Sequence, residues 1–345
     1  MKVLAGDIGG THARLAIVEL DGHAVRVVRE QTYASRDFPG LTPIVHAFLP
    51  NGGGTVERAC FGIAGPVVDG IVSTSNLPWR VETARLAADI GITHTLLIND
   101  LTATALGVTR LTGDDLATVQ VGEPDADGMR AVIAAGTGLG EAMLSRADGT
   151  WYTLPSEGGH GNFAPRSELE WDLFRSLAAA FGHVSSERVL SGPGLLNIYR
   201  FLAARPGARE NDAVRAEVSR DGPVAITRHG MATTDLLCAQ TLEVFAAAFG
   251  AEAGDLALTV LATGGVYVAG GIAPAILPRL REGPFLAAFR DKGRLGDMLS
   301  KIPVHVVMNT NVGLIGAAVA ATDPGMLAGA ATPAQPLSHE TSGTP

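Results

Sequence analysis

Cysteine is scarce: Cys60 and Cys238 are the two thiols in 345 residues. They lie far apart in sequence and form no C-x-x-C pair, which argues against a cysteine zinc site and makes a reducing, cytoplasmic setting the default. Basic charge is also short. The 26 Lys and Arg face 35 Asp and Glu, for a formal net charge of −9 with no basic run, so a nucleic-acid-binding surface is not expected. No uninterrupted apolar stretch reads as long and loop-free enough to span a bilayer, so no membrane partner is expected. The first residues enter an apolar segment at once and leave no room for a signal peptide. No G-x-x-x-x-G-K-[ST] occurs, which argues against a Walker-type NTPase.

Glycine, by contrast, is abundant at 43 residues, and 46% of the chain is hydrophobic. That suits many tight α/β connections and more than one core, and the length suits two domains. The most informative stretch is Val3–Val18. An apolar run reaches Gly6-Asp7-Ile8, turns at Gly9-Gly10-Thr11 and resumes at Ala13. Apolar residues on both sides and paired glycines between them read as a β-hairpin. A Rossmann turn would instead need a helix after the glycines. Glycine backbone N–H groups can approach an anion closely. A carboxylate beside the turn, Asp7, can hold a hydrated Mg²⁺ over it. The alternatives are a nucleotide-phosphate site or a plain hairpin turn.

The pattern recurs. Val3–Gly6, Ala13–Leu20 and Ala24–Thr32 read as a meander, Leu41–Phe48 and Val81–Ile90 as helices, and Arg58–Ala64, Ile71–Ser75 and Thr95–Ile98 as strands. Thr102–Leu111 reads as the next helix. From Arg130 the chain repeats strand, glycine turn and strand, with Gly136-Thr137-Gly138 at the turn. A long helix with threonine caps is expected at Thr234–Leu261, followed by a strand closed by Ala269-Gly270-Gly271. Two domains follow from this repeat: 1–110, completed by about 310–322, and 111–309. Residues 203–229, rich in charge, proline and glycine, read as a surface excursion, and 323–345 as a disordered tail.

Several polar residues stand where chemistry could collect. Asn99-Asp100 ends a buried strand before a helix, as an N-cap or as a general base at a strand's C-terminal end. Glu157-Gly158-Gly159-His160 reads as a solvated loop or a clamp for a polyhydroxyl ligand. Glu187 has Ser-x-x-Glu-type surroundings that suit a helix cap. Asn76 precedes Leu77-Pro78 and suits a turn.

Taken in order, Gly6–Thr11, Leu97–Asp100, Gly136–Gly140, Glu157–His160, Val189–Leu195 and Ala269–Ile272 resemble the bacterial glucokinase family, the non-zinc branch of the sugar-kinase, actin and chaperone ATPase superfamily. The resemblance covers the chain up to about Thr322. It implies an α/β protein of two RNase H-like, actin-like ATPase domains with an interdomain cleft. It implies Asp100 as catalytic base, with Asn76, Asn99, Gly138, Glu157, His160 and Glu187 also at the sugar. ATP would lie on Gly6, Asp7, Ile8, Gly9, Gly10, Thr11, Gly136, Thr137, Gly138, Gly270 and Gly271, with Mg²⁺ held by Asp7 through water. A homodimer is implied by the resemblance alone. His12 and Asn162 stand where relatives commonly carry Asn and Asp.

The reading is phosphoryl transfer from ATP to the 6-hydroxyl of glucose. A different hexose acceptor, such as mannose or fructose, and a catalytically silent sugar sensor or transcription regulator are the competing readings. The regulator would need an added helix-turn-helix segment, and the sensor would have no use for Asp100. Hinges are expected near 108–130 and 309–316.

Overall fold

The computed structural model describes residues 1–49, 56–74 and 77–327. Strand β1 (Lys2–Ile8) is apolar on both faces, and the structure shows why. Leu4 and Ile8 enter one core with Leu15 of β2 (His12–Asp21), whereas Val3 and Ala5 enter another with Ala16 and Val18. A strand covered on both sides need not alternate polar and apolar residues. β3 (Ala24–Ala34) completes the antiparallel meander.

β4 (Arg58–Ile63) then runs parallel to β1. A small antiparallel flap of β5 (Val67–Val68), β6 (Ile71–Ser73) and β7 (Arg80–Glu82) follows. β8 (His94–Asn99) is parallel to β4, giving the sheet order β3-β2-β1-β4-β8.

The second sheet repeats this plan. β9 (Leu116–Gln120) lies at one edge, antiparallel to its neighbour. β10 (Arg130–Ala135), β11 (Leu139–Ala147) and β12 (Thr150–Ser156) form the meander. β13 (Gly265–Ala269) and β14 (Val304–Val307) continue in parallel, and the order is β12-β11-β10-β13-β14-β9. The molecule is thus an α/β protein of two lobes with mixed sheets.

Two helices lie between the lobes, Asp100–Val108 and Val312–Thr322. Ala103, Leu106, Leu314 and Ala317 pack on the first sheet, while Ala105, Val108 and Ile315 pack on Val132, Ala142, Tyr267 and Val307 of the second. Such helices must be apolar all round, as these largely are. Their backbones touch: a Cβ on Gly107 would collide with the Val312 carbonyl, and one on Gly316 with that of Ala103. The connections between lobes also run side by side, with Asn309 Nδ2 donating to Asp115 Oδ1 at 2.8 Å and Met308 N to Asp115 O at 2.8 Å.

Four expectations are corrected. The long helix spans Leu236–Val260 and is capped by Asp235, whose Oδ1 accepts from Cys238 N at 2.9 Å, rather than by threonine. It is also long and apolar enough to cross a membrane by length and composition, contrary to the reading of the sequence. In this fold it is the core helix of the second lobe, with Leu242, Phe245 and Phe249 fully buried.

Residues 203–229 are no mere surface excursion. The helices Asp212–Asp221 and Pro223–Met231 bury Val214, Val218, Ala225 and Ile226 in the second core. Pro223 there is the first helical residue, where its missing N–H costs nothing. Residues 323–327 are ordered, contrary to expectation: Pro324–Met326 forms a helical turn, Met326 is buried and Thr153 Oγ1 donates to its carbonyl at 3.3 Å, while the rest of the expected tail lies outside the described residues.

Candidate active site

The parallel strands end level with one another. Ile8 of β1 pairs with Ile63 of β4, and Ile63 with Asn99 of β8, so the turn Gly9–Thr11 and the start of the helix at Asp100 share one edge. In the second sheet β10 and β13 end together, placing Gly136–Gly138 beside Gly270-Gly271. Ligands of parallel α/β sheets collect at such carboxyl ends.

The first turn is held by Gly9 N donating to His12 O at 2.9 Å, Ser35 N to Thr11 O at 2.9 Å and Ser35 Oγ to Gly9 O at 2.8 Å. The second is closed by Gly136 N to Gly138 O at 2.9 Å, and the helix Gly192–Ala203 starts against it through Gly192 N to Gly136 O at 2.8 Å. Gly270 has φ +84°, and a Cβ there would strike the Ala135 carbonyl. Glycine is required at that position on both counts.

Of the two readings of Asn99-Asp100, the capping one falls to Asn99. Asn99 is the N-cap: its Oδ1 accepts from Leu101 N at 2.9 Å and Thr102 N at 3.3 Å, and its Nδ2 donates to Gly65 O at 3.2 Å. Asp100 is the first helical residue. Burial pushes its carboxyl up to about 6, the negative charge of Asp7 pushes in the same direction, backbone N–H groups oppose both, and Glu157 adds a smaller repulsion.

Asp7 is likewise raised, by burial, with the guanidinium of Arg14 opposing it at 4.0 Å. The helix Val312–Thr322 starts on top of it, Gly313 leaving room where a Cβ would sit 3.3 Å from the Asp7 carboxylate. Two half-buried, neighbouring carboxylates at the edge that carries a glycine turn are a donor set that fits Mg²⁺, which takes one or two carboxylates and keeps its waters.

The residues expected at the sugar other than Asn76, Asn99 and Asp100 come from the second lobe. Glu157 precedes a short helical turn, Gly158–His160. Its carboxylate lies 3.8 Å from His160 Nε2, and the two side chains are 61% and 60% exposed, open to a ligand. Glu187 lies in another such turn, Ser186–Arg188, whose N-terminus has no side-chain cap. The expected capping role is replaced by a long-range one. Glu187 Oε2 accepts from Leu139 N at 3.0 Å, and it approaches so closely that a Cβ on Gly138 would collide with it.

The two turns are joined by Ser186 N to Gly161 O at 2.9 Å and Phe163 N to Val184 O at 3.0 Å. Leu101, next to Asp100, packs on Gly140 so tightly that a Cβ there would overlap it. That contact brings the end of the first lobe's β8 onto the second lobe's glycine turn.

Among the expected residues, Asp7, Asp100, Gly138, Glu157, His160 and Glu187 thus converge through these contacts. Asn99 serves the helix start, and Asn76 lies outside the described residues. Arg14 was missed. It bonds Glu30 and the Thr310 carbonyl besides facing Asp7. The hairpin itself carried the signal, because Arg14 is the direct cross-strand partner of Asp7.

The family model described as Glucokinase matches residues 4–324. The chain is 43% identical over 335 residues to a glucokinase of Nostoc punctiforme, covering 92% of this chain and 98% of that protein. It is 39% identical over 314 residues to one from Cronobacter sakazakii, covering 91% and 95%. The crystal structure of a glucokinase from an Antarctic psychrotroph superposes with a TM-score of 0.79 at 32% identity, covering 93% of this chain and 98% of that one. By the family model over nearly the whole chain and by these relatives, the chain belongs to the glucokinase family.

Proposed function

We propose that this protein transfers the γ-phosphoryl group of ATP to the 6-hydroxyl of D-glucose, giving glucose 6-phosphate and ADP, with Asp100 as general base. The observation that carries the reading is Asp100 itself: a half-buried carboxylate at a strand end, within reach of the charges of Asp7 and Glu157, with its proton affinity raised to about 6. A base with a value near the working pH is both ionised and able to take a proton.

Asp100 accepts the hydroxyl proton as the 6-oxygen bonds to phosphorus. The bond from phosphorus to the β,γ-bridging oxygen breaks, and ADP leaves with that electron pair. Such transfer leaves the protein mainly positioning and charge neutralisation. Glu157, His160 and Glu187 hold the sugar hydroxyls. The backbone of Gly9–Thr11 and Gly136–Gly138 holds phosphates, and Gly270-Gly271 borders the adenosine. Asp7 would hold Mg²⁺ through water, and the ion would supply charge neutralisation on the phosphates.

We read both lobes as RNase H-like, supported by the shared order of three meander strands followed by two parallel ones. On this reading residues 1–110 with 310–322 close on 111–309 over the sugar, excluding the water that would otherwise take the phosphate. Two buried, unpaired thiols fit a reducing compartment.

Turnover with ATP and a panel of hexoses tests the assignment. Glucose should have the highest kcat/KM, mannose a lower one, and galactose and fructose should be weak, because a site built on hydroxyl pairing leaves its polar groups unpaired against the wrong isomer. A higher kcat/KM for mannose or fructose would overturn glucose as the substrate and leave the kinase chemistry standing.

A further inference from the structure

Beneath the two recognition turns lies an acid that the transfer chemistry does not use. Glu141 stands on β11, opposite Ile133 of β10 and Ser156 of β12, and is 5% exposed. Its Oε1 makes no regular hydrogen bond among the described residues. Its Oε2 lies against Gly158, so closely that a Cβ there would overlap it.

The helix Leu236–Val260 brings the Glu252 carboxyl beside it, and the fully buried Ser186 hydroxyl faces that same carboxyl. Glu141 therefore abuts the residue after Glu157, and Ser186 is the residue before Glu187. The backbone bond from Ser186 N to Gly161 O couples the same two turns from above.

Two neighbouring carboxylates, one buried and one half-buried, cannot both ionise cheaply. Burial is the largest cause raising Glu141, to about 8, and the Glu252 charge comes next. Burial raises Glu252 as well. Asp255, one turn along the helix, adds negative charge to both, and Lys292, which bonds Asp255, opposes it at Glu252.

We propose that Glu141 and Glu252 are a proton-sharing pair that positions the turns bearing Glu157 and Glu187, so that loss of the shared proton loosens the glucose site. The inference rests on the reading that Glu157 and Glu187 hold the sugar. With one proton present, Glu141 donates toward the Glu252 carboxylate and the Gly158 backbone rests on a neutral group. With none, two adjacent negative charges repel under the turns, and displacement or water entry relieves them. Both residues act through the turns and not on the reacting atoms.

The test measures glucose KM and kcat from about pH 6.5 to about pH 9.5 for wild type, Glu141→Gln, Glu141→Leu and Glu252→Gln. In parallel, hydrogen exchange of the segments 157–163 and 185–188 is followed without sugar and corrected for the intrinsic rate. Wild type should show KM rising about five- to tenfold across the alkaline limb, kcat within about twofold, and faster exchange of both segments. Glu141→Gln should keep KM and exchange flat with pH, and Glu141→Leu, which fills space without a hydrogen bond, should raise KM at every pH.

A wild-type KM that stays flat, or an alkaline rise that persists in Glu141→Gln, overturns the proposal. If Glu141→Gln does not fold, Glu252→Gln supplies the same comparison, since it removes the second charge. Absence of glucose turnover at every pH overturns the kinase reading instead, and the exchange measurements then decide the pair independently.

Discussion

In the first lobe the glycine turn follows a strand with a half-buried carboxylate near its end, Asp7, and another parallel strand of the same sheet delivers a second, Asp100. In the second lobe the equivalent turn follows Ala134-Ala135, and the acids around it, Glu157 and Glu187, arrive from short helical turns outside the sheet. The two sheets share an order, so topology does not set this difference. Its origin is where the acid sits on the chain. A carboxylate at a strand end is walled in by the sheet and by the helices between the lobes, and its proton affinity rises. One on a turn stays open, as Glu157 does at 61% exposure, and can change partners when a ligand arrives. The first edge suits proton transfer beside phosphate, and the second suits recognition of a neutral polar ligand.

The sharpest way to break that division is Asp100→Asn. Turnover should fall by about 10²–10⁴, while glucose affinity stays within about threefold, because Asn keeps the shape but cannot accept the proton. A kcat within a few-fold of wild type would remove the chemistry from the first lobe.

The opposite pattern is expected in the second lobe. Glu157→Gln or Glu187→Gln should raise glucose KM by about 10–100-fold, the worth of a charge-assisted hydrogen bond, with a smaller loss in kcat. Glu187→Gln should also lower the melting temperature, since Leu139 N–H loses a carboxylate acceptor. Lost stability with unchanged sugar selectivity would make Glu187 purely structural.

A tenfold effect should appear in the pH profile. kcat should fall about tenfold per pH unit below about 6, as Asp100 takes up its proton. A plateau continuing to about pH 5 would exclude Asp100 as the titrating base.

The smallest effect concerns stability. The folded protein holds the Asp100 proton more tightly than the unfolded chain, whose ordinary value is 3.8. The group therefore costs nothing below that value, and stability falls as pH rises to about 6, with the deficit persisting at neutrality. Asp100→Asn should thus gain stability at pH 7 of up to about 2 kcal/mol, seen as a melting temperature about 2–4 °C higher. An unchanged or lower melting temperature at pH 7 would mean that the carboxylate is not strained, and the contrast between the two edges would narrow.

Much of the site could be read in the linear chain because it is built from local turns. Gly9–Thr11, Gly136–Gly138 and Gly270-Gly271 each follow a strand immediately, and Asp100 directly follows the strand that carries it. What could not be read is long-range. Glu187 looked like a helix cap because its sequence neighbours are serines, and its actual partner, Leu139 N–H, is 48 residues away. Glu141 directly follows a motif valued for its glycines, and its partner Glu252 lies on a helix about 100 residues further on. The long apolar helix misled in another way. Composition alone does not say whether such a helix is covered by lipid or by protein, and here it is covered by the second core.

Local pattern thus determined the meanders, the glycine turns and the placing of acids at strand ends, because period-two burial and glycine's backbone freedom act over a few residues. Tertiary structure decided the rest. Gly107 and Gly316 let two helices touch, and those helices join the two sheets. Only that assembly brings Glu157 of the second lobe within reach of Asp100. The proton affinity of Asp100 follows from burial and from neighbours distant in sequence, and no span of a few residues contains them.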